Sequence, residues 1–411
     1  MVFWLCEQVR VTLVHMVLNV QRRFHPAGLI LITLLLLAAN LRVALTAVGP
    51  LVSNIQTTLG LSSSAVSLLT SIPLLAFAAV SPVAPKLVQK LGLEKTLLIA
   101  VVGLAVGILV RSLPLPGIIW VGTACIGVSI AVLNVSLPVM VKRDFPARIG
   151  SMTGIYSAVQ GGFAAMAAGI ALPLASASDT GWRFSLGVWA VLAVVTALLL
   201  VPQARTSTVG GGSGNLPQRR KAINPWRSSL SWQIAAFMGV QSLFFYTLLA
   251  WLSPIEQSFG ISAETAGFHQ FLFNLGSLFG SLLCTALLPK THSIRPLMLF
   301  MLALWIVSLL GLLFFPELAV IPAFTGGLSC GTFFVLALSL FGLRTRHHVN
   351  AGALSGMGQS VGYIIAAAGP LAIGALHDAT DSWSLALWLL VVLGLIEVVL
   401  GVMVSRDRYI D

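Results

Sequence analysis

Twelve stretches of this sequence are long and apolar enough to cross a lipid bilayer as helices, and nothing else constrains the fold as strongly. A helix needs about 20 apolar residues to span the hydrocarbon layer, where the backbone must satisfy its own hydrogen bonds. The runs cover 27–50, 63–85, 95–113, 117–141, 149–175 and 183–202, then 231–254, 263–288, 294–315, 317–343, 350–376 and 383–404. Charged residues make up 9% of the chain, against about 25% in soluble domains, so a soluble enzyme could not clothe its exterior. The basic excess of +11 comes in small clusters between apolar runs, which is no footprint for a nucleic acid. The expected fold is all-α, twelve transmembrane helices with the lipid bilayer as solvent.

The chain divides in two. Residues 203–230 contain Gly210, Gly211, Gly212, Ser213 and Gly214, then Arg219, Arg220 and Lys221, the composition of a flexible basic linker. It separates two six-helix bundles, expected at 27–202 and 231–405, followed by a short tail at 406–411. If the termini and even-numbered loops share one side, that side collects 19 of the 23 basic residues, with Arg10 of the N-terminal segment left uncounted. Arg111 and Arg183 fall on the other side, with Asp179, Glu256, Glu264, Glu317, Asp378 and Asp381. By the positive-inside rule both termini and the linker are cytoplasmic. Residues 1–26 lack the charge order of a signal peptide and read as a cytoplasmic segment, with Met16 an alternative start. The halves also repeat: Leu59-Gly60-Leu61-Ser62 returns as Phe259-Gly260-Ile261-Ser262, and Lys95-Thr96-Leu97-Leu98 as Arg295-Pro296-Leu297-Met298. Two parallel repeats with a substrate site between them is a common carrier plan.

Arg42 is the most informative residue. It lies inside the first run, about 15 residues or roughly 22 Å from its start. An arginine at that depth costs about 2.5–3.5 kcal/mol on insertion scales, and intramembrane charges usually serve function. Snorkelling to the surface is the alternative. Glu397, in the last run, is the one acid expected within the membrane, and it sits near the opposite end of its helix, within reach of solvent. An arginine without a carboxylate suits an anionic or strongly dipolar substrate, bound bidentately if planar. Thr46 shares the Arg42 face, whereas Asn40 points elsewhere and is expected to bond another helix.

Further polar side chains occur at helical spacing. The eighth run carries Gln270, Asn274, Ser277 and Ser281, beside His269, Phe273, Gly276 and Gly280 in a close-packing pattern. The eleventh carries Ser355, Gln359 and Tyr363, the fourth Asn134, the fifth Tyr156 and Gln160, and the seventh Gln241 and Tyr246. With Arg42 and Thr46, these form the expected substrate-binding set, though packing alone also accounts for single polar groups. His269 and Glu397 are the candidates for handling protons. The cysteines lack metal-ligand spacing, as do His347-His348 and His377-Asp378, so no metal, cofactor or enzymatic site is expected.

The helix count, linker and repeat resemble the major facilitator superfamily. Its loop signature after the second helix is matched by Leu87, Lys90 and Gly92, but Pro85 and Gln89 stand where glycine and aspartate are usual. More specifically, the chain resembles the cyanate permease and 2-nitroimidazole transporter branch, closer to its nitroimidazole-carrying side. The matching pieces are Asn40-Leu41-Arg42 with Gly49-Pro50, Leu69-Thr70 to Pro73-Leu74, Lys142-Arg143-Asp144-Phe145, Ala250-Trp251-Leu252, and Leu354-Ser355-Gly356-Met357 to Gln359-Ser360-Val361-Gly362-Tyr363. The resemblance implies a monomeric secondary carrier in the bacterial cytoplasmic (inner) membrane, working by alternating access on a small anionic or nitro-bearing compound. Phe244, Phe245, Tyr246 and Trp251 could then supply a stacking wall for a ring. The alternatives are a broader drug exporter with an apolar cavity or, outside transport, a membrane receptor or enzyme.

Overall fold

The computed structural model describes residues 27–206 and 224–410, apart from His292, His347 and Asp407. Residues 1–26 and the glycine-rich part of the linker, 207–223, lie outside the described residues. Among the described residues, twelve helices have 18 residues or more: α1 (Ala27–Thr46), α2 (Ser63–Val80), α3 (Leu93–Arg111), α4 (Ile118–Asp144), α5 (Ile149–Gly169), α6 (Trp189–Thr206), α7 (Ser229–Ser258), α8 (Ala263–Leu287), α9 (Arg295–Phe314), α10 (Val320–Leu343), α11 (His348–Thr380) and α12 (Trp383–Val404). No strand occurs among the described residues.

Eleven described spans are long and apolar enough to cross a membrane, and α5 is not one of them. It carries Tyr156, Ser157 and Gln160 with Gly161 and Gly162, and these side chains face an internal cavity rather than lipid. The first span also differs from the expected 27–50. Helix α1 stops at Thr46, a 3-10 turn covers Gly49–Leu51, and a helix resumes over Val52–Leu59. Pro50 starts the resumed segment, and Gly49 lies so close to α7 that any Cβ there would overlap the Leu249 carbonyl.

Hydropathy sorts the helices into two shells. Helices α3, α6, α9 and α12 expose large apolar side chains, such as Ile99, Leu198, Phe300 and Val399, as expected of lipid-facing surface. The other eight line the interior, with α2 packed on α11 and α5 on both α1 and α8. Two polar ties hold α1 to α6: Asn40 Nδ2 donates to Thr196 Oγ1 at 2.9 Å, and Gln203 Nε2 donates to Thr33 Oγ1 at 2.8 Å. Glycines let α8 and α10 touch backbone to backbone. Gly276 and Gly280 abut the Phe324 and Leu328 carbonyls, and Gly327 and Gly331 abut those of Phe273 and Ser277.

The sequence repeat is a structural repeat. Gly60 and Gly260 both take left-handed conformations, at φ 62° and 87°. Ser62 and Ser262 then cap the next helices, accepting from Ala65 N and Thr265 N at 3.2 Å each. One charge expected at the surface is instead interior. Arg111 is fully buried at the end of α3, where NH1 donates at 2.8 Å to the Ala44 carbonyl. The last turn of α1 leaves carbonyls without amide partners, and this guanidinium takes one of them.

Candidate functional site

The inner helices enclose a cavity of about 840 Å³ that opens at one end of the bundle. Its lining follows α8 from Asn274 to Thr285, α10 from Cys330 to Ser339 and α5 from Thr153, towards the end that also carries Arg143 and Arg344. The opposite end is sealed. There the Val52–Leu59 segment packs on α7, and Ser71 Oγ of α2 donates to the Ala367 carbonyl of α11 at 2.8 Å.

Arg42 projects into this cavity and, among the described residues, is the one charged residue lining it. Its NH1 is buried and has no hydrogen-bond partner among the described residues. The guanidinium carbon lies 5.1 Å from the Phe245 ring centroid and 5.9 Å from that of Tyr246. Aromatic faces favour a cation electrostatically but accept no strong hydrogen bond, so the donors remain free for a ligand. Asn274 Nδ2 and Gln359 Nε2 are donated within their own helices, to the Gln270 carbonyl at 2.8 Å and to Ser355 Oγ at 2.9 Å. Gln241 Nε2 likewise bonds Ser242 Oγ at 2.6 Å. The chemistry on offer is one cation, an aromatic wall and neutral polar groups.

Nine of the eleven expected site residues line this cavity: Arg42, Asn134, Tyr156, Gln160, Gln241, Tyr246, Asn274, Gln359 and Tyr363. Thr46 does not. It is buried beside the break in α1, where its hydroxyl donates at 3.1 Å to the Arg42 carbonyl. Gln270 also lies outside, one turn beyond Asn274 and inside the seal, with neither polar atom of its side chain bonded among the described residues. Of the aromatic residues expected on α7, Phe245 and Tyr246 face the cavity. Phe244 is buried against Trp305 at 4.7 Å between centroids, and Trp251 donates to the Pro370 carbonyl at 3.0 Å. Phe77 was missed by sequence reasoning because an aromatic in an apolar helix looks lipid-facing. It lines the cavity edge-on to Tyr363, with centroids 5.4 Å apart.

The titratable groups also depart from expectation. Glu256 is fully buried rather than on the surface, and its Oε2 lies 2.9 Å from His269 Nδ1. His269 is therefore half of an acid–imidazole pair within the sealed end, not a lone packing residue. Glu397 reaches no solvent. It is fully buried, with neither carboxyl oxygen hydrogen-bonded among the described residues.

The sequence matches the Major Facilitator Superfamily over residues 32–253 and 234–410. It is 38% identical to the uncharacterized transporter YycB of Bacillus subtilis, covering 92% of this chain and 93% of that one. It is 36% identical to the 2-nitroimidazole transporter of Escherichia coli, covering 92% and 95%, and 28% identical to that organism's cyanate transport protein CynX, covering 86% and 91%. Among solved structures, a bacterial homologue of the human lysosomal transporter Spinster, inward-facing and unoccupied, superposes with a TM-score of 0.77. That match covers 93% of this chain and 98% of the other at 15% identity, a likeness of fold.

Proposed function

Because the chain belongs to the Major Facilitator Superfamily, and is thus a multi-pass membrane transporter rather than an enzyme, we propose that it carries a planar, ring-bearing anion or nitro compound bound by Arg42. The observation that carries this reading is the unneutralised guanidinium. Among the described residues Arg42 is the one charged residue lining the cavity, and a buried donor on it lacks a partner there. An unmatched buried donor costs about 1–3 kcal/mol, which acceptor oxygens of a carboxylate or nitro group would recover. Phe245 and Tyr246 flank the same position, so a ligand ring can stack there while its oxygens meet the guanidinium. The cavity, about 840 Å³, has room for such a ring beside the guanidinium. The name of the Escherichia coli nitroimidazole relative agrees with a ring-bearing ligand.

In this reading residues 27–202 rock against 231–405 in the bacterial inner membrane, with the basic end and both termini cytoplasmic and the protein a monomer. The present state is then open to the cytoplasm. Asn134, Tyr156, Gln160, Gln241, Asn274, Gln359 and Tyr363 set the orientation of the ligand. Thr46 and Gln270 join them when the sealed end opens. Of the proton-handling candidates, His269, paired with Glu256, is better placed than Glu397, because it lies in the seal that the cycle must open. Reconstituted protein tests the proposal by uptake of labelled 2-nitroimidazole, benzoate and cyanate. Saturable flux of a ring-bearing compound supports it. Displacement of that compound by bulky cationic dyes would point to a broad drug exporter instead.

A further inference from the structure

The sealed end contains a contact between α2 and α11 that substrate binding does not use. Asp378, in the last turn of α11, accepts from Ser63 N at 2.8 Å on one carboxylate oxygen and from Ser64 N at 2.7 Å on the other. Ser63 and Ser64 are the first residues of α2, whose amides have no acceptor within the helix. The helix supplies its own cap, Ser62, to the Ala65 amide. Asp378 supplies the rest from the other half of the molecule, placing its negative charge at the positive end of the α2 dipole.

Neighbouring contacts converge on the same point. Ser63 Oγ lies 3.2 Å from His377 Nδ1 and accepts from Gln56 Nε2 at 3.2 Å, which ties in the Val52–Leu59 continuation of α1. His377 stacks on Trp383, with centroids 4.0 Å apart. Among the described residues, no other acid at this end bonds between residues 27–202 and 231–405. Glu256 pairs with His269 within the second half.

We propose that Asp378 is the latch of the sealed end, a positioning residue whose carboxylate caps α2 only while that end is closed. Two features suit it to repeated opening. Its side chain is exposed, so the carboxylate and the two freed amides rehydrate on separation without leaving a buried charge. The two-pronged geometry also requires α2 and α11 to meet in one register, so the contact is made or lost as a unit. The helices that form the latch also reach the cavity, α11 through Tyr363 and α2 through Phe77. Tyr363 lies about four turns from Asp378 along the same helix, with Pro370 between them, so a ligand that shifts the Phe77–Tyr363 contact acts on the latch through α11. The inference holds whichever compound is carried.

Electron–electron distance measurement between spin labels at Thr57 and Glu317, two exposed positions on opposite sides of the sealed end, tests this directly. The parent should show mostly short distances. Asp378→Ala should raise the ratio of long to short distances roughly 2- to 30-fold, the range expected for loss of a helix cap. Ser63→Pro removes one of the two donors from the α2 side at a position where proline starts a helix well, and should shift the distances in the same direction. Asp378→Glu should recover part of the short population, and Asp381→Asn should leave the distribution unchanged. If folded Asp378→Ala and Ser63→Pro both give the parental distribution, the latch is refuted. A shift as large in Asp381→Asn would refute it equally.

Discussion

The guanidinium carbon of Arg42 sits 5.1 Å from the centroid of Phe245, a residue of the other half of the molecule. The arrangement leaves the cation's edge free and gives a ring-bearing ligand a surface to stack on. Ring-on-ring contacts contribute about 0.5–1.5 kcal/mol. Phe245→Leu should therefore weaken binding of 2-nitroimidazole or benzoate by roughly 2- to 13-fold, while changing cyanate binding less than about twofold. Competition binding on the purified variant checks both figures, and equal losses for all three ligands would remove Phe245 from ring recognition.

The Glu256–His269 pair should betray itself through non-additivity. Removing one member of a buried, bonded pair strands the other and costs about 3–5 kcal/mol, whereas replacing both with apolar groups is often near neutral. Melting temperatures in detergent should thus fall sharply for Glu256→Leu or His269→Phe alone, and recover in the double variant. Additive losses would mean that the two side chains do not depend on one another.

Gly280 tests the backbone contact that aims the polar face of α8 at the cavity. A Cβ there would overlap the Leu328 carbonyl, which cannot yield as a flexible side chain would. Gly280→Ala should destabilise the protein by about 1–3 kcal/mol or more and reduce transport. Gly356 on α11 has open space around its Cβ position, so Gly356→Ala should be neutral or gain up to about 1 kcal/mol. Thermal unfolding of the two variants side by side reads the difference.

Much of the architecture was legible because it rests on run length and charge bias. The helix order followed from apolar stretches, and Arg42 stood out because a cation inside such a stretch needs a reason. The depth of charges near helix ends was harder to read. Arg111 and Glu256 each occupy a last turn, where sequence cannot distinguish solvent from a neighbouring helix; Ala44 and His269 provide the partners that keep them inside. Helical spacing alone puts Gln270 and Thr46 on the cavity face. The cavity closes between Asn274 and Gln270, a boundary set by how several helices pack and not by the spacing within one. Asp378 carried no sequence signal, because its partners are backbone amides more than 300 positions away.

Arg42 is the residue on which substrate binding is proposed to depend. Isothermal titration of purified protein with 2-nitroimidazole, benzoate, nitrite and cyanate, beside Arg42→Gln and Arg42→Lys, reads its role directly. A charge-assisted bond contributes about 1.5–3 kcal/mol, so Arg42→Gln should weaken the bound ligand by roughly 10- to 150-fold, with Arg42→Lys between it and the parent. Equal affinity in the parent and in Arg42→Gln would contradict the claim that this guanidinium holds the substrate.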